Sequence, residues 1–256
     1  MELAFDSHAH WNDPKFDEDR DAILPTLPQA GVGTVMNVGC CLASSKDCVT
    51  LAEKYPHFYA AVGTHPQDAQ EWCAAVAEEY RRMAANPRVK AIGEIGLDYY
   101  YEDAPREVQK TAFRGQMQLA RELGMPVIVH ERDAHGDALD IIREFPDVHG
   151  VFHCFSGSKE MALELVRRGW HIGFTGVLTF KNARKAVESA AAVPLERILI
   201  ETDCPFMAPE PHRGTRCDSR MVRLTAAKLA EIRGISVDEA LRATRENAQR
   251  LFGIEE

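Results

Sequence analysis

Apolar and polar positions along the chain fall into one repeated alternation. Short apolar, β-branched stretches predict strands at Leu3 to Ser7, Thr34 to Val38, Tyr59 to Val62, Val89 to Glu94, Pro126 to His130, Gly150 to Cys154, Trp170 to Phe174 and Arg197 to Glu201. Between them run longer stretches with helical spacing. Ser44 to Tyr55 opens on a serine and carries Cys48, Leu51 and Ala52 on one face, and Asp68 to Ala85 has the same character. Pro105 to Leu123 begins with proline and stops at Gly124, the punctuation expected of a helix. Ala134 to Phe145, Ser158 to Arg168 and Lys181 to Ala192 follow, then Arg220 to Arg233, Ser236 to Thr244 and Glu246 to Phe252. After the first strand the helical pattern is interrupted by Pro25 and Pro28.

Strands alternating with helices predict right-handed βαβ units on a parallel sheet. Eight such units fit a closed (β/α)8 TIM barrel, which typically needs about 250 residues, and the chain has 256. An open doubly wound sheet would carry a glycine-rich turn after its first strand. Here that strand runs into Asp6-Ser7-His8-Ala9-His10, and Gly31-Val32-Gly33 precedes a strand instead of following one. No linker or low-complexity segment divides the chain, so residues 1–256 read as one domain.

In such a barrel the chemistry belongs at the C-terminal ends of the strands. Those ends carry His8 and His10, His65, Glu94, His130, His153, and Glu201 with Asp203. The two-residue period of a strand puts His8 and His10 on one face. It likewise aligns Ile128 with His130, Val151 with His153, and Leu199 with Glu201 and Asp203. Apolar side chains would then fill the barrel below a polar top layer. Each residue alone has an ordinary explanation: a hydrogen-bonded strand-end histidine, a helix-capping Glu94, a His65 that shapes the turn before Pro66. What those explanations leave out is why so many ligand types stand at matching strand ends. His57, His135, His149 and His171 lie off those ends and read as surface or loop residues.

His8, His10, Glu94, His130, His153 and Asp203 exceed what one tetrahedral catalytic metal uses, since such an ion takes three protein ligands and leaves a position for water. Two ions about 3.5–4 Å apart, bridged by a carboxylate, would use the surplus. The mixed nitrogen and oxygen donors suit zinc, manganese, nickel or iron better than all-oxygen sites do.

Charge changes the picture in one respect. A net charge of −9 argues against broad electrostatic capture of nucleic acid, so a phosphate-bearing substrate would be held locally by metal ions and a few arginines. No apolar run reaches the roughly 18 residues of a membrane span, and the segment Met1 to Asp6 has no basic, signal-like character. Seven scattered cysteines form no CxxC pair, which predicts reduced thiols in a cytoplasmic protein. Neither a membrane nor an obligate protein partner is signalled.

The strand-end motifs resemble those of the TatD family of metal-dependent deoxyribonucleases, among the amidohydrolase-like barrels. The matching stretches are Asp6 to His10, Gly63-Thr64-His65-Pro66, Gly93 to Tyr100, Pro126 to His130, His153 to Gly157, Glu201 to Pro205, Pro211 to Gly214 and Asn247 to Phe252. The resemblance implies two divalent ions, drawn from zinc, manganese, magnesium, nickel or iron. His8, His10 and Asp203 would hold one, His130 and His153 the other, with Glu94 bridging. It implies hydrolysis of phosphodiester bonds in DNA, in the manner of a 3′–5′ exonuclease acting on single strands or 3′ ends.

Asp203 and the spare carboxylate Glu201 are the expected catalytic acids; Asp6 is expected to orient a histidine from below, the alternative for both Asp6 and Glu201 being a structural acid tied to backbone amides. His65 and Arg213 are expected to meet substrate, with Arg216 a further phosphate contact. The loop Thr215 to Ser219 departs from the family pattern, with Ser219 where proline is usual. The rival activity is hydrolysis of a small cyclic amide or ester. The carbamylated-lysine bridge common in such enzymes would need a lysine where this chain has Glu94. A non-catalytic metal-binding regulator is the third reading.

Overall fold

The computed structural model describes residues 2–101 and 103–255. The strands are β1 Ala4–Ala9, β2 Val32–Val38, β3 Phe58–Val62, β4 Val89–Asp98, β5 Val127–Arg132, β6 Gly150–Phe152, β7 His171–Phe174 and β8 Ile198–Ile200. They form one sheet in sequence order, and neighbouring strands pair in parallel from β1 through β8. The helices are α1 Arg20–Ile23, α2 Leu42–Lys54, α3 Ala74–Ala84, α4 Arg106–Leu123, α5 His135–Glu144, α6 Lys159–Arg167, α7 Arg184–Ala192, α8 Val222–Arg233 and α9 Val237–Phe252. This is the expected (β/α)8 barrel.

The ring closes between β1 and β8, just beyond the end of β8. The Asp203 N–H donates to the His8 carbonyl at 2.9 Å, and the His10 N–H donates to the Cys204 carbonyl at 2.8 Å. Below them the Asp6 carboxylate accepts from the Thr202 N–H at 2.9 Å and the Thr202 hydroxyl at 2.7 Å.

The barrel interior holds Phe5, Met36, Val38, Ala61, Ala91, Ile128, Val151 and Leu199. The end of α9 stops it from below, with Phe252 packed 6.0 Å from Phe5, ring centre to ring centre. A second, larger apolar layer lies between strands and helices and includes Trp11, Phe58, Phe113, Phe152 and Trp170. Ile128, Val151 and Leu199 therefore fill the core beneath the strand-end polar residues, as the alternation predicts.

Three elements differ from the sequence-based expectation. The strand expected to end at Glu94 continues to Asp98. Its register with β5 shifts between Ile92 and Ile95, and the Glu94 N–H donates to the Gly39 carbonyl at 2.9 Å. Gly96, at φ +139°, lets the strand resume pairing, because a Cβ there would run into the His130 carbonyl. The helix expected over Asp68 to Ala85 is a 3-10 turn, Pro66–Glu71, followed by the shorter α3. The two short helices expected at the end are one, α9, because no breaker separates Thr244 from Glu246. The Thr244 hydroxyl bonds back to the Ala240 carbonyl at 2.8 Å instead of stopping the helix. Among the described residues no helix is long and apolar enough to cross a membrane.

His171 is another correction: it begins β7 and is only 7% exposed, not a surface residue. Burial, with Arg197, Arg250 and His149 nearby, pushes its imidazole down to about 4. An unfolded histidine titrates near 6.5, so the unfolded chain binds the extra proton first. Stability from this group is present above pH 6.5 and is lost as pH falls towards 4, by up to about 3 kcal/mol. Thermal unfolding followed from pH 7.5 to 4.5 should show a shallower loss of Tm in His171→Gln than in the unaltered chain. Parallel curves would refute this assignment.

Candidate metal centre

At the C-terminal mouth of the barrel, the strand ends converge on one carboxylate. Glu94 is only 3% exposed, and its two oxygens face different groups of imidazoles. Oε2 lies 3.4 Å from His8 Nε2 and 3.6 Å from His10 Nε2. Oε1 lies 2.9 Å from His130 Nδ1, 2.7 Å from His153 Nε2 and 3.7 Å from His65 Nε2. Asp203 joins the first group, its Oδ1 being 3.3 Å from His10 Nε2 and 3.8 Å from His8 Nε2. The six ligand-type residues expected from the strand ends are thus in one place. His65 stands with them, forming a three-donor group with Glu94 and His130.

Local geometry fixes which nitrogens point inward. The His10 Nδ1–H donates to the Val38 carbonyl at 2.8 Å, because a carbonyl only accepts, and this turns Nε2 towards the cluster. His65 Nδ1 accepts from the Gln67 N–H at 3.2 Å, so its proton sits on Nε2 and faces inward. His8 stacks on His153 at 3.8 Å between ring centres. Its Nε2 is 3.1 Å from the Nε2 of His10. Nitrogens packed this closely around carboxylate oxygens fit a divalent cation by donor type and convergence.

The electrostatics agree. Burial raises the Glu94 carboxyl, but the facing His153, His8 and His65 rings outweigh it and hold the group well below the usual carboxylate range. Burial likewise raises Asp203, and the bond to His10 with the nearby His153 and His8 brings it below its ordinary value. Both carboxylates are therefore anionic. His65 is pushed down to about 3 by burial and by His130, so it is a neutral donor.

Asp98 escaped the sequence reading. Its Oδ2 lies 3.1 Å from His130 Nε2, and its Oδ1 accepts from the Tyr100 and Tyr101 N–H groups. A carboxylate behind a metal-facing imidazole holds the ring and raises its basicity. The signal was present: Glu94, Gly96 and Asp98 follow the two-residue period, but only if the strand continues past Glu94. Cys40 was also missed, with its sulfur 3.8 Å from both His10 Nδ1 and Glu94 Oε2.

Glu201 and Asp6 sit deeper. Glu201 is fully buried; it accepts from the Cys154 N–H at 2.5 Å and the Ser7 hydroxyl at 3.1 Å, and lies 3.6 Å from His153 Nδ1. A Cβ on Gly173 would meet its Oε2 at 2.7 Å, so glycine makes its room. Asp6 spends both oxygens on the Thr202 N–H and hydroxyl and none on a histidine, which is the structural role of its two alternatives. Burial raises its carboxyl to about 7.

Arg213 is exposed in the mouth loop after β8, its guanidinium 4.2 Å from the Phe180 ring centre. Arg216, read as a phosphate contact, is instead ion-paired with Asp19 at 2.5 Å. Ser219, in the altered loop, is fully buried and accepts from the Trp11 indole N–H at 2.8 Å, a bond that proline could not accept through its side chain.

A (β/α)8 barrel carrying such a histidine–carboxylate cluster at its mouth defines a metal-dependent hydrolase. The family profile described as TatD related DNase matches residues 5–253. The chain is 38% identical over 254 residues to the metal-dependent hydrolase YabD of Bacillus subtilis, covering 98% of this chain and 100% of that one. It is 34% identical over 258 residues to the 3′-5′ ssDNA/RNA exonuclease TatD of Citrobacter rodentium, covering 98% of each. Among solved structures, the TatD homolog YJJV of Escherichia coli K12 superposes with a TM-score of 0.92 at 31% identity, covering 98% of each chain. The chain belongs to the TatD related DNase family, and it is a hydrolase acting on ester bonds.

The Asp98 contact yields a test. Asp98→Asn keeps an acceptor for the Tyr100 and Tyr101 amides but removes the charge behind His130. Zinc affinity, measured by competition with a chromogenic chelator, should fall about 10- to 100-fold. Unchanged affinity would remove Asp98 from the site.

Proposed function

We propose that the chain hydrolyses phosphodiester bonds of single-stranded DNA or 3′ ends, using two divalent ions held in the strand-end cluster. The observation that carries this reading is the division of Glu94, whose two oxygens face two separate groups of imidazole nitrogens. In this reading His8, His10 and Asp203 would hold one ion and His130 and His153 the other, with Glu94 as the carboxylate shared by the two groups. Such ions, when bound, would lower the pKa of a water towards about 7 and offset negative charge on the phosphoryl oxygens.

The chain's own groups do the rest. Asp203 is anionic, lies at the mouth and is the residue best placed to orient the attacking water and accept its proton. His65 presents its Nε2–H at the edge of the cluster and would donate to a phosphoryl oxygen. Arg213 would meet negative charge from the loop above. Glu201 would act through His153 and the Cys154 backbone, as a positioning residue and not at the reacting atoms. Kinship with a 3′-5′ ssDNA/RNA exonuclease supports a 3′–5′ direction and nucleic acid as substrate. The seven free cysteines support a reducing cytoplasm, and the whole chain 1–256 would work as one catalytic unit.

Elemental analysis of the purified, zinc- or manganese-reconstituted protein should find two equivalents per chain; one equivalent would reject the two-ion arrangement. His130→Ala and Asp203→Ala should each lower kcat on bis(p-nitrophenyl) phosphate by about 10² to 10⁴-fold, with the far-ultraviolet circular dichroism retained. Full activity in both variants would sink the assignment of the site. Hydrolysis of lactones or cyclic amides in preference to phosphodiesters would favour the amidohydrolase-type activity instead.

A further inference from the structure

The mouth carries exposed aromatic side chains that the metal cluster does not use. Six large apolar or aromatic residues stand exposed among the described residues: Leu3, Tyr100, Tyr101, Phe206, Met207 and Val237. Four of them are in two loops at the C-terminal end of the barrel. Tyr100 and Tyr101, 57% and 46% exposed, directly follow β4; Phe206, 44% exposed, and Met207 follow β8. Exposed rings of this size are costly to leave in water, and their concentration at one end marks a contact surface.

Each set is backed by a cation. The Arg132 guanidinium, at the end of β5, lies 3.8 Å from the Tyr100 ring centre and 5.1 Å from that of Tyr101. The Lys15 ammonium, in the loop after β1, lies 4.3 Å from the Phe206 ring centre, and Arg213 lies over Phe180 in the same quarter of the rim. None of Lys15, Arg132 and Arg213 is ion-paired among the described residues, although most other arginines near the surface are. In a chain of net charge −9 these free cations, placed beside exposed rings, suit a ligand that has flat faces and negative charge in alternation. A single polynucleotide strand is such a ligand: bases stack on aromatic rings and phosphates meet the adjoining cations.

The strand order places the two stations. The strands run around the ring in sequence order, so β4 and β5 stand across the barrel from β8 and β1. The Glu94 cluster lies between. We propose that Tyr100, Tyr101 and Arg132 on one side, and Phe206 and Lys15 on the other, hold bases of one strand on both sides of the scissile phosphodiester. The inference rests on the nucleic-acid reading of the site and adds the path that the strand takes across the mouth. Its consequence is that the chain grips nucleotides flanking the cut on either side, and turnover depends on strand length.

The test uses metal-reconstituted full-length protein and single-stranded oligodeoxynucleotides of two to ten nucleotides, with bis(p-nitrophenyl) phosphate as the small reference diester. In the unaltered chain kcat/KM should rise with length and then level off. The ratio of kcat/KM for the decamer to that for the small diester should fall about tenfold in Tyr100→Ala/Tyr101→Ala and again in Phe206→Ala. Tyr100→Phe/Tyr101→Phe and Phe206→Tyr, which keep the rings, should hold that ratio within about twofold. Cleavage of oligonucleotides with the ratio unmoved in both alanine variants overturns the two-station track alone. Cleavage of the small diester with no oligonucleotide cleaved overturns the nucleic-acid reading and the track together.

Discussion

The structure depends on how the barrel closes. Eight parallel strands leave two edges, β1 and β8, and β8 is only three residues long. The bonds that join these edges are made beyond β8, by Asp203 to His8 and by His10 to Cys204. Three of these four are ligand-type residues of the cluster, and the fourth, Cys204, directly follows Asp203. Backbone amides that would otherwise be unpaired at the rim are satisfied by the same short segments that carry the ligands. Closing the fold and assembling the site are therefore one event, and distortion at the seam moves His8, His10 and Asp203 together.

The second constraint is the cost of burying so many polar groups in one layer. A buried charge is tolerated only when it is paired or meets a metal. Glu94, Asp203 and the facing imidazoles satisfy this among themselves, and Asp98 and Glu201 support His130 and His153 from behind. Small residues make the space. Gly173 yields to Glu201, and Gly96 lets β4 recover its pairing after Glu94 has turned inward. Below this layer Phe5, Ile128, Val151 and Leu199 return the interior to ordinary apolar packing. The mouth above is different again, with aromatic rings and cations left facing solvent.

Much of this was legible before any coordinates. All eight strands appear where apolar, β-branched runs predict them, because strands buried on both faces leave a simple compositional trace. The six ligand-type residues were found by asking what stands at the strand ends. Asp98 was lost because β4 outruns its apolar stretch, and a strand that passes through a register shift does not announce its end. Neither the partner of Asp6 nor that of Arg216 was legible, because Thr202 and Asp19 lie far from them in the chain. The buried state of His171 was hidden for a similar reason: its cover comes from residues far along the sequence.

By itself, then, the sequence determined the repeating βαβ architecture, the inward alternation on each strand and the inventory of donors, since these follow from local periodicity and side-chain chemistry. Only the tertiary structure decided how those donors divide. The two oxygens of Glu94 are equivalent in the sequence, and they become distinct once four strands place His8 and His10 against one and His130 and His153 against the other. Which histidine nitrogen faces inward, which carboxylate stands behind it and which rings remain exposed at the mouth are all set by contacts between distant segments. Such contacts exist only when the barrel is closed.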